Sequence, residues 1–124
     1  MDKVFADEPI TIFGDGSAVR RFLYVNDIAR AHVLALSADA RNQTYNLEGS
    51  RDVTIKELAE TVIDRVGKGT IEYVIDPSRR GELSLAQIEI SNRKAADELG
   101  WSPETELGEG VADTVDWYRA NLAK

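Results

Sequence analysis

The sequence contains no cysteine and a single histidine, His32. The first absence excludes disulfides and thiolate metal sites, and together they leave little from which to build a zinc centre. Positive charge is also scarce: 15 Lys and Arg stand against 22 Asp and Glu, for a net charge of −7. A nucleic-acid surface needs clustered Lys and Arg, so nucleic acid is not an expected partner. No apolar run approaches the roughly 20 residues of a membrane span. The opening MDKVFADEP lacks the basic and apolar regions of a signal peptide. A cytoplasmic location with no membrane partner is therefore the expectation. There is no internal repeat and no low-complexity tract, so the 124 residues read as one domain, 1–124, with its own core.

What the sequence does have is alternation of short apolar runs with amphipathic stretches. PITIF at 9–13 reads as a strand that ends in the turn Gly14-Asp15-Gly16, and RFLYV at 21–25 reads as a second extended segment. Asn26 or Asp27 can cap a helix over 28–36, where Ile28, Ala31, His32, Ala35 and Leu36 share a face. QTYNL at 43–47 is strand-like. The clearest helix begins at Thr54, which with Glu57 fits a capping box. From there Ile55, Leu58, Ala59, Val62, Ile63 and Val66 keep helical spacing up to Gly67.

Beyond it, IEYVI at 71–75 alternates as a strand, 76–82 is a polar loop and 83–90 is again extended. Ser91 can cap a short helix ending at Leu99-Gly100-Trp101. Leu107, Val111, Val115, Tyr118 and Leu122 form the stripe of a last helix. This order predicts an α/β fold with a small mixed or parallel sheet and about four helices, with parallel pairing for the strands flanking the Thr54 helix. Two adjacent-cation sites, Arg20-Arg21 and Arg79-Arg80, keep an anionic small ligand open within an acidic chain.

Five blocks then carry a family resemblance. GDGSAVRRFLYVNDIARAH is similar to the GDG-x3-R-x-F-x-Y-V-x-D-x-A-x-A block of extended short-chain dehydrogenases/reductases. These are the NAD-dependent epimerases and dehydratases of nucleotide sugars, UDP-glucose 4-epimerase among them. TYNLEG, TIKELAETV, PSRRGEL and IEISNRKAADELGWSPETELGEGVADTVDWY resemble the family's later blocks, in order. The resemblance covers the C-terminal, substrate-binding part only. No G-x-x-G-x-x-G or G-x-G-x-x-G occurs among the nine glycines, and none of the four tyrosines has a lysine four residues on. The expectation is a chain without the dinucleotide-binding domain. It would bind no cofactor alone and lack catalytic residues, although the full-length family enzyme uses NAD.

By the resemblance, Arg20 and Arg79 contact the diphosphate of a nucleotide sugar, and Glu82 accepts from the ribose hydroxyls. A guanidinium suits that task because it is always charged and grips phosphate oxygens in a fork. Arg21 replaces the family's usual aspartate and is assigned no site role, and Arg80 stands where proline is usual. Read from the residues themselves, His32 packs on its helix, Asp27 caps, and Trp101 and Trp117 serve core and cap packing. The rings of Tyr24 and Tyr45 pack, while Asp113 and Asp116 face solvent.

The resemblance thus implies the substrate-binding portion of an epimerase or dehydratase, holding its nucleotide-diphosphate sugar weakly. The alternative is a non-enzymatic interaction or oligomerisation module left from such an enzyme. Its partner would be a second copy, in a homodimer, or a separate dinucleotide-binding chain.

Overall fold

A computed structural model describes residues 1–77 and 90–122. In chain order they form α1 (Asp2–Phe5), β1 (Ile10–Phe13), β2 (Val19–Arg20), α2 (Val25–Leu34), a 3-10 turn at Ala38–Ala40, β3 (Val53–Thr54), α3 (Ile55–Val66), β4 (Ile71–Val74), α4 (Arg93–Leu99) and α5 (Leu107–Asn121). This is the α/β class expected, with a small parallel sheet. The helix beyond the expected four is α1, a single turn. No helix among the described residues is long and apolar enough to cross a membrane. The described residues divide into two compact units: 1–20, 53–77 and 107–122 in the first, 21–52 and 90–106 in the second.

The first unit is built around α3. Thr54 is its N-cap, with Oγ1 accepting the Glu57 N–H at 3.0 Å, and Gly67 ends it at φ 86°. Val62 on α3 meets Val111 and Val115 on α5 and Val4 on α1 in one buried cluster. The Phe5 and Tyr118 rings stack 4.7 Å apart and fix α1 to α5. Asp116, expected to be solvated, is exposed but ion-paired with Arg65 at 2.7 Å and Arg119 at 3.3 Å. Arg119 in turn donates to the Val66 carbonyl at 3.2 Å, a cation at the negative end of α3. Trp117 does not pack as expected and is 58% exposed.

The parallel pair is not the one expected. β4 pairs with β1, Ile10 opposite Ile71 and Phe13 opposite Val74. Residues 43–47 form no strand, because a strand needs a neighbour with which to share its hydrogen bonds. At Glu48 a side chain fills that role: the Asn92 amide oxygen accepts the Glu48 N–H at 2.7 Å, and its nitrogen donates to the Glu48 carbonyl at 2.9 Å. The sequence alternation is still used, since Tyr45 and Leu47 pack on the second unit's core.

That core is Ala31, Ala95 and Trp101, the last fully buried. Gly100 and Trp101 close α4 by donating to the carbonyls of Ala96 and Ala95. Asn92, not Ser91, is the α4 N-cap residue, while the Ser91 hydroxyl accepts the Arg93 N–H at 3.2 Å. α2 starts at Val25, inside the segment expected to be extended, and Tyr24 is its N-cap residue. Neither Asn26 nor Asp27 caps it. Its buried face is also turned from the expected one: Asp27 and Ala31 are buried, whereas His32 and Ala35 are exposed and Leu36 is 85% exposed. An aspartate holds the innermost position, so the apolar pattern points the wrong way round the helix.

Candidate functional site

The described segments that lead in sequence toward positions 20 and 79 leave the first unit's parallel strands at one edge. Gly14 follows β1 directly, and its N–H donates to the Val74 carbonyl at 2.9 Å, so the carboxyl ends of both parallel strands are level. From β1 the chain turns through Gly14, Asp15 and Gly16 into β2, which ends in Arg20. From β4 it runs through Ile75 and Asp76 to Pro77. The carboxyl edge of a parallel sheet is where α/β proteins bind ligands, since loops there converge without obstructing the strands.

The turn is rigid for identifiable reasons. Asp15 Oδ1 accepts the Ser17 hydroxyl at 2.6 Å and the Ser17 N–H at 2.9 Å, and these bonds hold its carboxyl below the usual carboxylate range. The turn is tied to the first turn of α3, where the N–H groups of Ile55 and Lys56 donate to the carbonyls of Ala18 and Gly16 at 3.0 Å. Gly16 has φ 78°, and a β-carbon there would lie 3.0 Å from that of Lys56, so both conformation and space call for glycine.

β2 then pairs antiparallel with β3, setting Arg20 opposite Val53. The Arg20 side chain is exposed, and its Nη1 donates to the Val19 carbonyl at 2.7 Å. Among the described residues no carboxylate pairs with it. Arg21 differs: it is ion-paired with Glu48 and Asp52, each at 2.7 Å. The two adjacent cations therefore differ in setting, and the one expected to meet an anion is the one with no carboxylate partner among the described residues. Arg79, Arg80 and Glu82 lie outside the described residues.

The remaining candidates are structural. Asp27 Oδ2 accepts the N–H groups of Thr105 at 3.0 Å and Glu104 at 3.2 Å, Oδ1 meets Arg30 at 3.3 Å, and its main-chain carbonyl accepts Trp101 Nε1 at 2.8 Å. Burial opposes its ionisation, but the Thr105, Arg30 and Glu104 hydrogen bonds outweigh burial and hold its carboxyl below the usual value. His32 is exposed, with Nδ1 2.8 Å from the Ile28 carbonyl. Burial, and then the hydrogen bond that Tyr45 donates to Glu98 at 2.8 Å, raise the pKa of its phenol.

The one glycine turn of the described residues that resembles a phosphate cradle, 14–16, leads into the two-residue strand β2. A dinucleotide cradle opens a helix, whose N-terminal amides bind the pyrophosphate. The described residues therefore do not fit NAD by themselves.

Comparison with known proteins bears on the same blocks. A family model described as GDP-mannose 4,6 dehydratase matches residues 3–114. A dTDP-glucose 4,6-dehydratase from an Actinoplanes strain is 35% identical over 114 residues, covering 90% of this chain and 34% of that protein. A UDP-glucose 4-epimerase from Mycolicibacterium smegmatis is 31% identical over 118 residues, covering 95% of this chain and 37% of that protein. Among solved structures, UDP-glucose 4-epimerase from Thermotoga maritima, crystallised with UDP-glucose, superposes with a TM-score of 0.80 at 31% identity. That match covers 98% of this chain and 38% of the other. The chain thus spans little more than a third of the length of these relatives.

Proposed function

The chain belongs to the GDP-mannose 4,6 dehydratase family of NAD-dependent epimerases and dehydratases, and from that premise we propose that it is the substrate-binding portion of such an enzyme. Its task is to hold the diphosphate of a nucleotide sugar through Arg20 and Arg79, with Glu82 on the ribose. The observation that carries this reading is the level carboxyl edge of β1 and β4, from which the Arg20 segment departs and toward which the chain before Arg79 runs. A guanidinium with no carboxylate partner among the described residues supports it. Hydride and proton transfer belong to the remaining two thirds of the family fold, because this chain carries neither a dinucleotide cradle nor the Tyr-x-x-x-Lys pair.

Half a binding site gives weak affinity. UDP is expected to bind with a Kd of about 0.1 to 1 mM, shifting the amide resonances of residues 18–21 in an NMR titration. Arg20→Ala weakens that binding about tenfold, the scale of one charge-assisted bond. NAD, titrated in parallel by calorimetry, gives no saturable heat. Absence of UDP shifts at several times the expected Kd, or saturable NAD binding, overturns the reading.

A second reading, that the chain acts as an interaction module by pairing with a second copy, is favoured by α2. Val25 at 64%, Val33 at 67% and Leu36 at 85% exposure line its outer side with Ala29. An apolar stripe of this kind marks an interaction surface, and a two-fold contact covers it twice. Light scattering is expected to show a rise from monomer to dimer mass across about 10 to 500 µM, a range that brackets weak association. Val33→Lys returns the mass to that of a monomer. A monomer throughout for the unsubstituted chain refutes pairing.

A further inference from the structure

Arg21 carries no substrate role by family resemblance, and the charge it brings is opposite to that of the aspartate usual there. The structure gives it a specific setting. Its Nε donates to Asp52 Oδ1 and its Nη1 to Glu48 Oε1, both at 2.7 Å. Glu48 is held ready by Asn92, whose carboxamide brackets the Glu48 N–H and carbonyl, and the Glu48 side chain is only 11% exposed. One arm of the fork is therefore pre-positioned and partly shielded from water, which an ordinary surface ion pair lacks.

The other arm concerns register. β2 and β3 contribute only two residues each, with Val19 opposite Thr54 and Arg20 opposite Val53. Continuing that antiparallel count by one residue sets Arg21 against Asp52, which is the ion pair observed. On the other side the Ile55 N–H donates to the Ala18 carbonyl in the same register, so the Arg21 fork pins the end of the ladder that carries Arg20, where a slip of one residue would turn each side chain to the opposite side.

We propose that Arg21 is the positioning residue for Arg20: its fork to Glu48 and Asp52 locks β2 and β3 in the register that sets Arg20 opposite Val53. The significance of Arg20 rests on the diphosphate reading above, whereas the lock itself does not. A second consequence is electrostatic. Two carboxylates neutralise Arg21, whereas Arg20 has no carboxylate partner among the described residues.

The test uses the whole chain, with amide hydrogen exchange at Arg20 and Val53 as one readout and UDP affinity as the other. Arg21→Ala is expected to speed exchange at these amides about fivefold and to raise the UDP Kd about threefold, the upper range for an exposed ion-pair network. The reversed network, Arg21→Glu with Glu48→Lys and Asp52→Arg, restores both to within about twofold, since a salt bridge is indifferent to which side carries which charge. That rescue separates positioning from direct contact, because an arginine touching phosphate cannot be replaced by glutamate.

Unchanged exchange in Arg21→Ala refutes the proposal, as does a reversed network that fails to restore exchange. Weaker UDP binding with unchanged exchange identifies Arg21 as a direct ligand and also refutes it. If the unsubstituted chain binds no UDP, the diphosphate reading falls and the exchange results alone decide the lock. Should Arg21→Ala not fold, Arg21→Lys, which keeps the charge and loses the fork, carries the same readings.

Discussion

Gly49→Ala is expected to lower the stability of the chain by about 3 kcal/mol or more, the range of severe overpacking. A β-carbon at Gly49 would fall 1.9 Å from the carbonyl oxygen of Phe22, 2.8 Å from its carbonyl carbon and 3.2 Å from that of Arg21. All three obstacles are main chain, so no change of rotamer relieves them. Either the 48–50 segment or the 21–22 segment must move. Moving either also disturbs Arg21, whose partners Glu48 and Asp52 flank Gly49.

Gly67→Ala is the matched control. It has open space around the added carbon and a φ of 86°, and it should cost only about 1 to 2 kcal/mol for the left-handed conformation. Urea unfolding of the two variants checks the difference. A Gly49→Ala variant no less stable than Gly67→Ala would mean that the two segments are not held at this distance.

Legibility in the sequence follows how local each feature is. The limits of α3 can be read because Thr54, Glu57 and Gly67 act within one turn of the ends they define. The Gly100-Trp101 closure of α4 is legible for the same reason. The facing of α2 is not: its innermost residue is Asp27, whose partners Thr105 and Glu104 lie more than seventy positions on. Residues 43–47 have the alternation of a strand and lack its neighbour, and alternation does not report which chain lies alongside. For the same reason alternation does not show that β4 pairs with β1.

At the candidate site, the family resemblance implies that Arg20 meets the diphosphate, but it says nothing of whether its charge is already used. Only the structure separates Arg20 from Arg21, through Glu48 and Asp52. A signal was present in the charge pattern, since an arginine in place of an acid invites compensating acids elsewhere. The acids that answer it are 27 and 31 residues away, and the sequence alone does not single them out among its 22 Asp and Glu.

Asp27→Ala is expected to destabilise the second unit by about 3 kcal/mol, the combined scale of a lost charged acceptor and the amides left behind. Asp27 is 4% exposed and fixes the 104–105 backbone through two N–H bonds, while Arg30 joins it to the carbonyl of Ser102 at 2.5 Å. Without the carboxylate, the Thr105 and Glu104 amides have no acceptor at that point and Arg30 loses one partner. Asp27→Asn keeps an oxygen but brings an amide donor toward other donors, and should cost about 2 kcal/mol.

The pH dependence has a definite sign. The folded carboxyl is held below its unfolded value, so its contribution is complete above the unfolded pKa of about 3.9 and is lost as pH falls through the folded value. The stability gap between the unsubstituted chain and Asp27→Asn therefore narrows on acidification below about pH 4. Trp101 reports on this directly, being fully buried with its indole N–H on the Asp27 carbonyl. Exposed Trp117 is first replaced by Phe so that emission comes from Trp101 alone. A gap that stays constant from pH 7 to pH 3 would mean that folding does not lower the Asp27 pKa, and a gap that widens on acidification would mean that the folded carboxyl is a neutral acid.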